Sequence, residues 1–248
     1  MKVDARRLEE LSLNSSAPPG QLLYDGWLVR MLPGKAKRAR SVNAVYPSTH
    51  PLEAKIPYCE RLYQTMGLPA IFRITPFSEP AELDTELERR GYGRFDATAV
   101  EAARIDPALL PASETQPLDL AGWIEAVGEM RGSPPAHRVA HLARIEGLPL
   151  AKRAVAICQD GRIVATGLTI IEDDFAGIFD ILTHPEARLQ GFARRVLSGL
   201  MRSAWELGAR NAYLQVTCDN TPARRLYAQF GFTERYIYWY RGRAGEQQ

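Results

Sequence analysis

The sequence predicts an α+β fold: a mixed, strongly twisted sheet flanked by helices and built as two tandem halves. Three observations lead there. Between Ile178 and Tyr240 the chain runs strand, glycine turn, helix, strand, helix, strand. Ahead of that unit, three β-like runs joined by the turns Asp160-Gly161 and Glu172-Asp173-Asp174 read as an antiparallel meander. Pro107 to Pro117, rich in Pro and small polar residues, divides the chain into residues 1–106 and 117–248.

Each element follows in turn. Residues 1–20 form a polar, partly helical lead-in that ends at Pro18-Pro19-Gly20, a strong breaker. Strands are expected at Leu22 to Leu32 and, beyond the Pro33-Gly34-Lys35 turn, at Ala39 to Tyr46. Pro51 to Met66 carries Leu52, Ile56, Cys59, Leu62, Tyr63 and Met66 at three-to-four spacing, which is a helix stopped by Gly67. Ala70 to Thr75 reads as a buried strand and Glu79 to Arg90 as a helix. Gly91-Tyr92-Gly93 then opens a long strand to Ile105. After the linker come helices at Leu118 to Met130 and Pro135 to Glu146. Strands at 154–159, 162–171 and 176–183 complete the meander.

The two halves share a pattern. Ala70-Ile71-Phe72-Arg73-Ile74-Thr75 aligns on Ala212-Tyr213-Leu214-Gln215-Val216-Thr217, and Pro80-Ala81 aligns on Pro222-Ala223. Gly91-Tyr92 then falls near Gly231-Phe232, and Leu87 stands where Tyr227 stands, four residues before the glycine.

Composition narrows the function. The chain has 248 residues, 46% hydrophobic and 24% charged, which is ordinary for a soluble globular protein with a proper core. A net charge of +2 gives no footprint for nucleic acid, and Lys35 to Arg40, with four cations in six residues, reads as a solvated turn. Cys59, Cys158 and Cys218 are odd in number and lack C-x-x-C spacing, so a disulfide framework or thiolate metal site is not expected and a reducing compartment is. Met1 to Arg7 has no apolar signal segment, and no run approaches the roughly 18 apolar residues of a membrane span. A cytoplasmic protein with no membrane partner is expected.

The chemistry-bearing pattern is Arg188-Leu189-Gln190-Gly191-Phe192-Ala193 between a strand and a long helix. It is followed by Asn220-Thr221-Pro222-Ala223, Leu226-Tyr227 and Gly231-Phe232. A strand that turns directly into a helix presents unbonded N–H groups with the positive end of the helix dipole behind them, a site for phosphate. Gly191 lets backbone approach the phosphate oxygens, Ala193 keeps the next close position small, and Arg188 and Arg194 add cations. Asn220 suits a helix N-cap and Pro222 an early helical position. The dinucleotide fingerprint G-x-G-x-x-G, the competing phosphate motif, is absent.

Together these residues resemble the core of the GNAT superfamily of acetyl-CoA-dependent N-acetyltransferases, closely over the last quarter of the chain and more loosely from about 117 onward. The resemblance implies a GNAT-like acyl-CoA N-acyltransferase fold in which 117–248 is the catalytic domain and 1–106 a degenerate copy. It implies acetyl-CoA as co-substrate, with no metal. Pantetheine would pair with backbone at Ile181, Leu182 and Thr183, and the pyrophosphate would sit on Arg188, Leu189, Gln190, Gly191, Phe192, Ala193 and Arg194. Asn220 would lie near the pantetheine, although an N-cap alone accounts for it. Tyr227 would protonate the departing sulfur, although its spacing also suits a core aromatic.

The implied reaction is acetyl transfer to a primary amine, on a small molecule or a peptide, by direct attack in a ternary complex. The alternative is a non-catalytic CoA or acyl-CoA sensor, for which the missing base argues. In the branch that acetylates protein N-termini a glutamate stands twelve residues before the tyrosine, where this chain has Gln215. Asp180 is a second candidate base, although alternation could turn it into the packing face. Glu172, Asp173 and Asp174 read as solvated turn residues, and no base is assigned. His137 and His141 have metal-ligand spacing but no third ligand nearby.

Overall fold

A computed structural model of the chain describes residues 4–34 and 36–245. Lys35 of the cationic run and Met1 to Val3 of the N-terminus lie outside the described residues. The first half contains α1 (Ala5–Asn14), β1 (Gln21–Tyr24), β2 (Trp27–Arg30), β3 (Val42–Ala44), α2 (Leu52–Thr65), β4 (Phe72–Ile74), α3 (Leu83–Arg89) and β5 (Gly93–Arg104). The second contains β6 (Gln116–Leu118), α4 (Leu120–Arg131), α5 (Pro135–Glu146), β7 (Ala151–Gln159), β8 (Arg162–Glu172), β9 (Phe175–Thr183), α6 (Phe192–Glu206), β10 (Asn211–Thr217), α7 (Thr221–Ala228) and β11 (Thr233–Gly242). The fold is α+β, with mixed sheets flanked by helices.

Two compact units interleave along the sequence. One takes the chain up to Ser15, then Glu101–Val216 and Asn220–Glu234; the other takes Ser16–Val100, Thr217–Asp219 and everything from Arg235. The division is therefore not a single cut at the Pro-rich stretch. Strand pairing explains the exchange at the end: Trp239, Tyr240 and Arg241 of β11 pair antiparallel with Ile74, Arg73 and Phe72 of β4. The aromatic run Tyr236 to Tyr240 is thus a strand of the second unit, where Tyr236 meets Phe77 with ring centroids 5.2 Å apart and Trp239 donates its indole N–H to Asp84 at 2.9 Å.

In the first unit the strand order is β10-β9-β8-β7-β6, antiparallel from β6 to β9 and parallel between β9 and β10. Helix α6 packs over β7, β8 and β9 through Val196, Leu197, Leu200, Met201 and Ala204, all buried. Trp205 is only half-buried and lies under the Arg210 guanidinium at 3.9 Å. The Pro-rich stretch is no free linker. Leu110 and Pro111 carbonyls accept from Arg202 and Ser198, Ser113 donates to the Arg195 carbonyl, and Gln116 to Leu118 pair with β7. The N-terminal lead-in is a docked helix: Leu8 and Leu11 of α1 are fully buried, and Tyr213 of β10 donates its hydroxyl to the Leu11 carbonyl at 3.0 Å.

The second unit orders its strands β1-β2-β3-β4-β11, with β3 and β4 parallel. Its core gathers Trp27, Val29, Ile56, Tyr63, Phe72, Leu87 and Tyr92. The strand expected over Leu22 to Leu32 is a hairpin instead. Asp25 and Gly26 both take positive φ (43° and 86°) and turn the chain between β1 and β2, the twist-matched geometry of a two-residue hairpin loop. The repeat seen in sequence has a matching backbone. The N–H of Tyr92 bonds the Leu87 carbonyl at 3.0 Å, as Phe232 bonds Tyr227 at 3.2 Å, with Gly91 and Gly231 at φ 83° and 80°.

Candidate active site

The site is built where two parallel strands part. Strands β9 and β10 pair from Phe175↔Asn211 to Ile178↔Leu214, and their pairing ends there. On its other edge β9 stays paired with β8, through Leu182↔Thr166 and Thr183↔Ala165. The β10-side edge of Ile181, Leu182 and Thr183 is thus open to pair with a ligand, and the Thr183 hydroxyl is buried without a partner among the described residues. Gly177 allows the close packing just before the gap. A Cβ there would lie 2.5 Å from the Phe179 ring and 2.7 Å from the Tyr213 hydroxyl.

A β-bulge marks the same point. Between the pairs Leu168↔Phe179 and Thr166↔Leu182, Asp180 and Ile181 face the single residue Gly167, and Asp180 adopts φ 49°. Aspartate tolerates that left-handed conformation better than most side chains. Ile181 turns toward α6, beside Val196 and Leu200 around Gly167. Asp180 turns toward the opposite helices, accepting from Arg131 Nη2 of α4 at 2.7 Å. His141 of α5 brings Nε2 to 3.9 Å from the other Asp180 carboxylate oxygen.

Beyond Thr183 a short 3-10 turn (Pro185–Ala187) leads through Arg188 and Leu189 to Gly191, the N-cap of α6 at φ 79°. Arg195 is the first residue to bond back to the Gly191 carbonyl, so the N–H groups of Phe192, Ala193 and Arg194 have no intrahelical acceptor. Gly191 has no side chain to cap them, and Leu189 and Gln190 are exposed around them. Arg188 is exposed. Arg194 is committed elsewhere: Nη1 donates to Gln229 at 2.6 Å, and the guanidinium lies 5.8 Å from the Phe230 ring centre.

Asn220 caps α7, its Oδ1 accepting from the Ala223 N–H at 3.2 Å. Tyr227 is half-buried on α7, its ring 6.0 Å from that of Phe232. Burial and the neighbouring Glu101 carboxylate push its phenol up to about 12, so it stays protonated at neutral pH. Glu101 is buried and paired with Arg224 Nε at 2.8 Å, and Arg224 also reaches Glu234.

Other candidates fall away or move. Glu172 is not a solvated turn residue, since Arg7 and Asn14 bond its carboxylate at 3.1 and 3.0 Å. Asp174 accepts from Asn211 Nδ2 at 2.8 Å. His137 is exposed while His141 is half-buried against the Trp123 ring, and no cluster of three or more potential metal ligands occurs among the described residues. No helix among the described residues is long and apolar enough to cross a membrane. The Asp180–His141 approach and the electrostatic influence of Glu101 on Tyr227 link residues 39 and 126 apart in sequence, and no local spacing signals them.

Residues 122–232 match the model of the acetyltransferase (GNAT) family. Over 96% of its length the chain is 27% identical to the uncharacterized N-acetyltransferase YobR of Bacillus subtilis (strain 168), of which it covers 98%. A shorter stretch, 33% of the chain, is 31% identical to 55% of the [ribosomal protein bS18]-alanine N-acetyltransferase of Escherichia coli (strain K12). Among solved structures, a GCN5-related N-acetyltransferase from Kribbella flavida superposes with a TM-score of 0.69 at 18% identity, covering 99% of this chain and 97% of that one. A tandem GNAT protein from the clavulanic acid biosynthesis pathway superposes with a TM-score of 0.60 at 16% identity over 76% of this chain and 68% of that one.

Proposed function

We propose that this chain, a GNAT-type N-acetyltransferase whose family domain spans residues 122–232, moves an acetyl group from acetyl-CoA to a primary amine by direct attack in a ternary complex. The observation that carries the reading is the parting of β9 and β10 at Ile178 and Leu214, beside the glycine-capped turn into α6. A pantetheine arm is an extended chain with amides, and the open edge at Ile181, Leu182 and Thr183 offers it a strand to pair with. The unbonded amides at Phe192, Ala193 and Arg194, with Gly191 and the exposed Arg188, Leu189 and Gln190 around them, suit a pyrophosphate at a helix N-terminus. Backbone amides do most of this anchoring, because Arg194 is already bonded to Gln229.

At the reacting end, negative charge develops on the thioester oxygen and then on sulfur. The bulge takes Ile181 out of regular ladder pairing, and its backbone N–H is the donor read for the oxygen. The Tyr227 phenol, protonated at neutral pH, donates to the leaving sulfur. Asn220 spends Oδ1 on its cap and keeps its amide N–H groups for the pantetheine. The acceptor is a small molecule or a peptide amine. Three unlinked cysteines, Cys59, Cys158 and Cys218, support a reading in which the reaction runs in a reducing compartment such as the cytoplasm.

Calorimetric titration with acetyl-CoA, followed by release of free thiol across a panel of amines, tests this. Saturable binding with amine-dependent release is expected. Binding with no release from any amine would point to an acyl-CoA sensor, and no binding would refute the assignment of the α6 turn.

A further inference from the structure

The reaction proposed above releases a proton from the attacking nitrogen, and Gln215 cannot take it, because an amide is not a useful base. The Asp180–His141 pair is placed to do so. The bulge gives Asp180 a left-handed backbone and swings its carboxylate toward α4 and α5, one residue ahead of the open strand edge. One carboxylate oxygen is held by Arg131 at 2.7 Å. The other lies 3.9 Å from His141 Nε2, too far for a hydrogen bond between them. That separation is short enough for one nitrogen to bond both groups at ordinary distances. A primary amine has two N–H groups for the two acceptors. The imidazole is partly open, its side chain 23% exposed, and rests edge-on against Trp123 with ring centroids 5.3 Å apart. The Trp123 indole N–H is itself buried without an acceptor among the described residues.

We infer that His141 is the proton acceptor of the acetyl transfer and that Asp180 positions the incoming amine beside it. The inference rests on the acetyltransferase reading above. The amine enters neutral and its nitrogen attacks the thioester carbon. The nitrogen–carbon bond forms, and the carbon–sulfur bond breaks with its electron pair going to sulfur. Sulfur takes the phenolic proton of Tyr227, and the proton on the attacking nitrogen passes to His141. Exchange with solvent returns one proton from the imidazolium and restores the phenol, so the sum is amine plus acetyl-CoA giving amide plus CoA. Once bonded to the tetrahedral carbon, the nitrogen is far more acidic than in the free amine. A weakly basic imidazole is therefore adequate. The charged groups that face it are Asp180 from β9, Arg131 from α4 and Arg144 from its own helix.

The test compares wild type with His141→Gln, His141→Ala and Asp180→Asn, using whichever amine supports thiol release. Both His141 variants should lose about 10²–10⁴-fold in kcat, the usual worth of general acid–base catalysis, with acetyl-CoA affinity within twofold of wild type by calorimetry. Added imidazole should restore thiol release to His141→Ala in a saturable way and leave Tyr227→Phe unrescued. Asp180→Asn should raise the KM for the amine as well as lower kcat. Wild-type kcat in His141→Gln would overturn the inference and leave the acetyltransferase reading intact. So would loss of acetyl-CoA binding in both His141 variants without imidazole rescue, which would mark a structural role. Absence of amine-dependent thiol release in wild type would instead overturn the acetyltransferase reading itself.

Discussion

Arg224 donates from Nε to Oε1 of Glu101 at 2.8 Å, and Glu101 is 4% exposed. This buried carboxylate adds to burial in holding the Tyr227 phenol near 12. Because the folded-state value lies above the ordinary 10, this group contributes stability below pH 10 that is lost as pH rises toward 12. Glu101→Gln should bring the phenol down part of the way, since burial, the larger cause, remains. The difference in tyrosinate absorbance between parent and Tyr227→Phe, titrated in both backgrounds, checks it. An unmoved Tyr227 titration in Glu101→Gln would refute the coupling.

Tyr227→Phe keeps the ring against Phe232 and removes only the proton donor. Turnover should fall by about 10²–10⁴-fold while acetyl-CoA binds nearly as before. Unchanged turnover in thiol-release kinetics would leave Tyr227 as a packing side chain, the role Leu87 has at the corresponding helix end of the second unit.

Gly191→Asp acts at the turn proposed to hold the pyrophosphate. A Cβ at this position meets nothing within 4 Å, so no collision within the protein opposes it. The cost has two other sources: φ 79°, which a side chain disfavours by about 1–2 kcal/mol, and a carboxylate placed where a pyrophosphate should bind. Calorimetry should record acetyl-CoA affinity weakened by at least tenfold. Gly191→Ala separates the sources, since it keeps the strain and omits the charge.

The parts of the site that were legible in sequence are those carried by one residue type at one local position. Gly191 before an apolar-periodic helix and Asn220 before Pro222 each have a conformational reason to be there, and both fall at helix N-caps. What could not be read depends on register and distance. Alternation would have set Asp180 on the same face as Ile178, and one extra residue in β9 cancels that inference. The Pro-rich stretch reads as a tether because its composition is that of a linker. Its role as a strap comes from Ser113 and Thr115 lying over Gly199, where a Cβ would fall 2.8 Å from the Ser113 hydroxyl. The Asp25-Gly26 hairpin was legible in principle and is hidden by the apolar residues on both sides of it.

Gly177→Ala should destabilise the protein by about 1–3 kcal/mol, the cost of forcing one methyl into a packed interior. The methyl would meet the Phe179 ring at 2.5 Å and the Tyr213 hydroxyl at 2.7 Å. Tyr213 cannot retreat freely, because its hydroxyl already bonds Ser15 at 2.9 Å and Leu11 at 3.0 Å. Urea unfolding checks the loss, and a midpoint equal to wild type would refute the packing argument. Tyr213→Phe in the same background should recover part of the stability by removing one of the two contacts.

His141 ties stability to pH in the opposite sense to Tyr227. Burial, with the cations Arg144 and Arg131 nearby, lowers the imidazole from its usual 6.5 to about 4, and Asp180 only partly resists the fall. Between those values the unfolded chain binds a proton that the folded chain refuses, so stability declines as pH drops from 6.5 toward 4. The span corresponds to about 3 kcal/mol at most, since each pKa unit is about 1.4 kcal/mol and the imidazole is not fully enclosed. His141→Gln has no such proton to bind, and its melting temperature should fall less than that of wild type between pH 6.5 and 4.5. Asp180→Asn should steepen the wild-type decline by removing the one neighbour that favours the imidazolium. Parallel melting curves for wild type and His141→Gln across this range would show that the imidazole titrates normally in the fold.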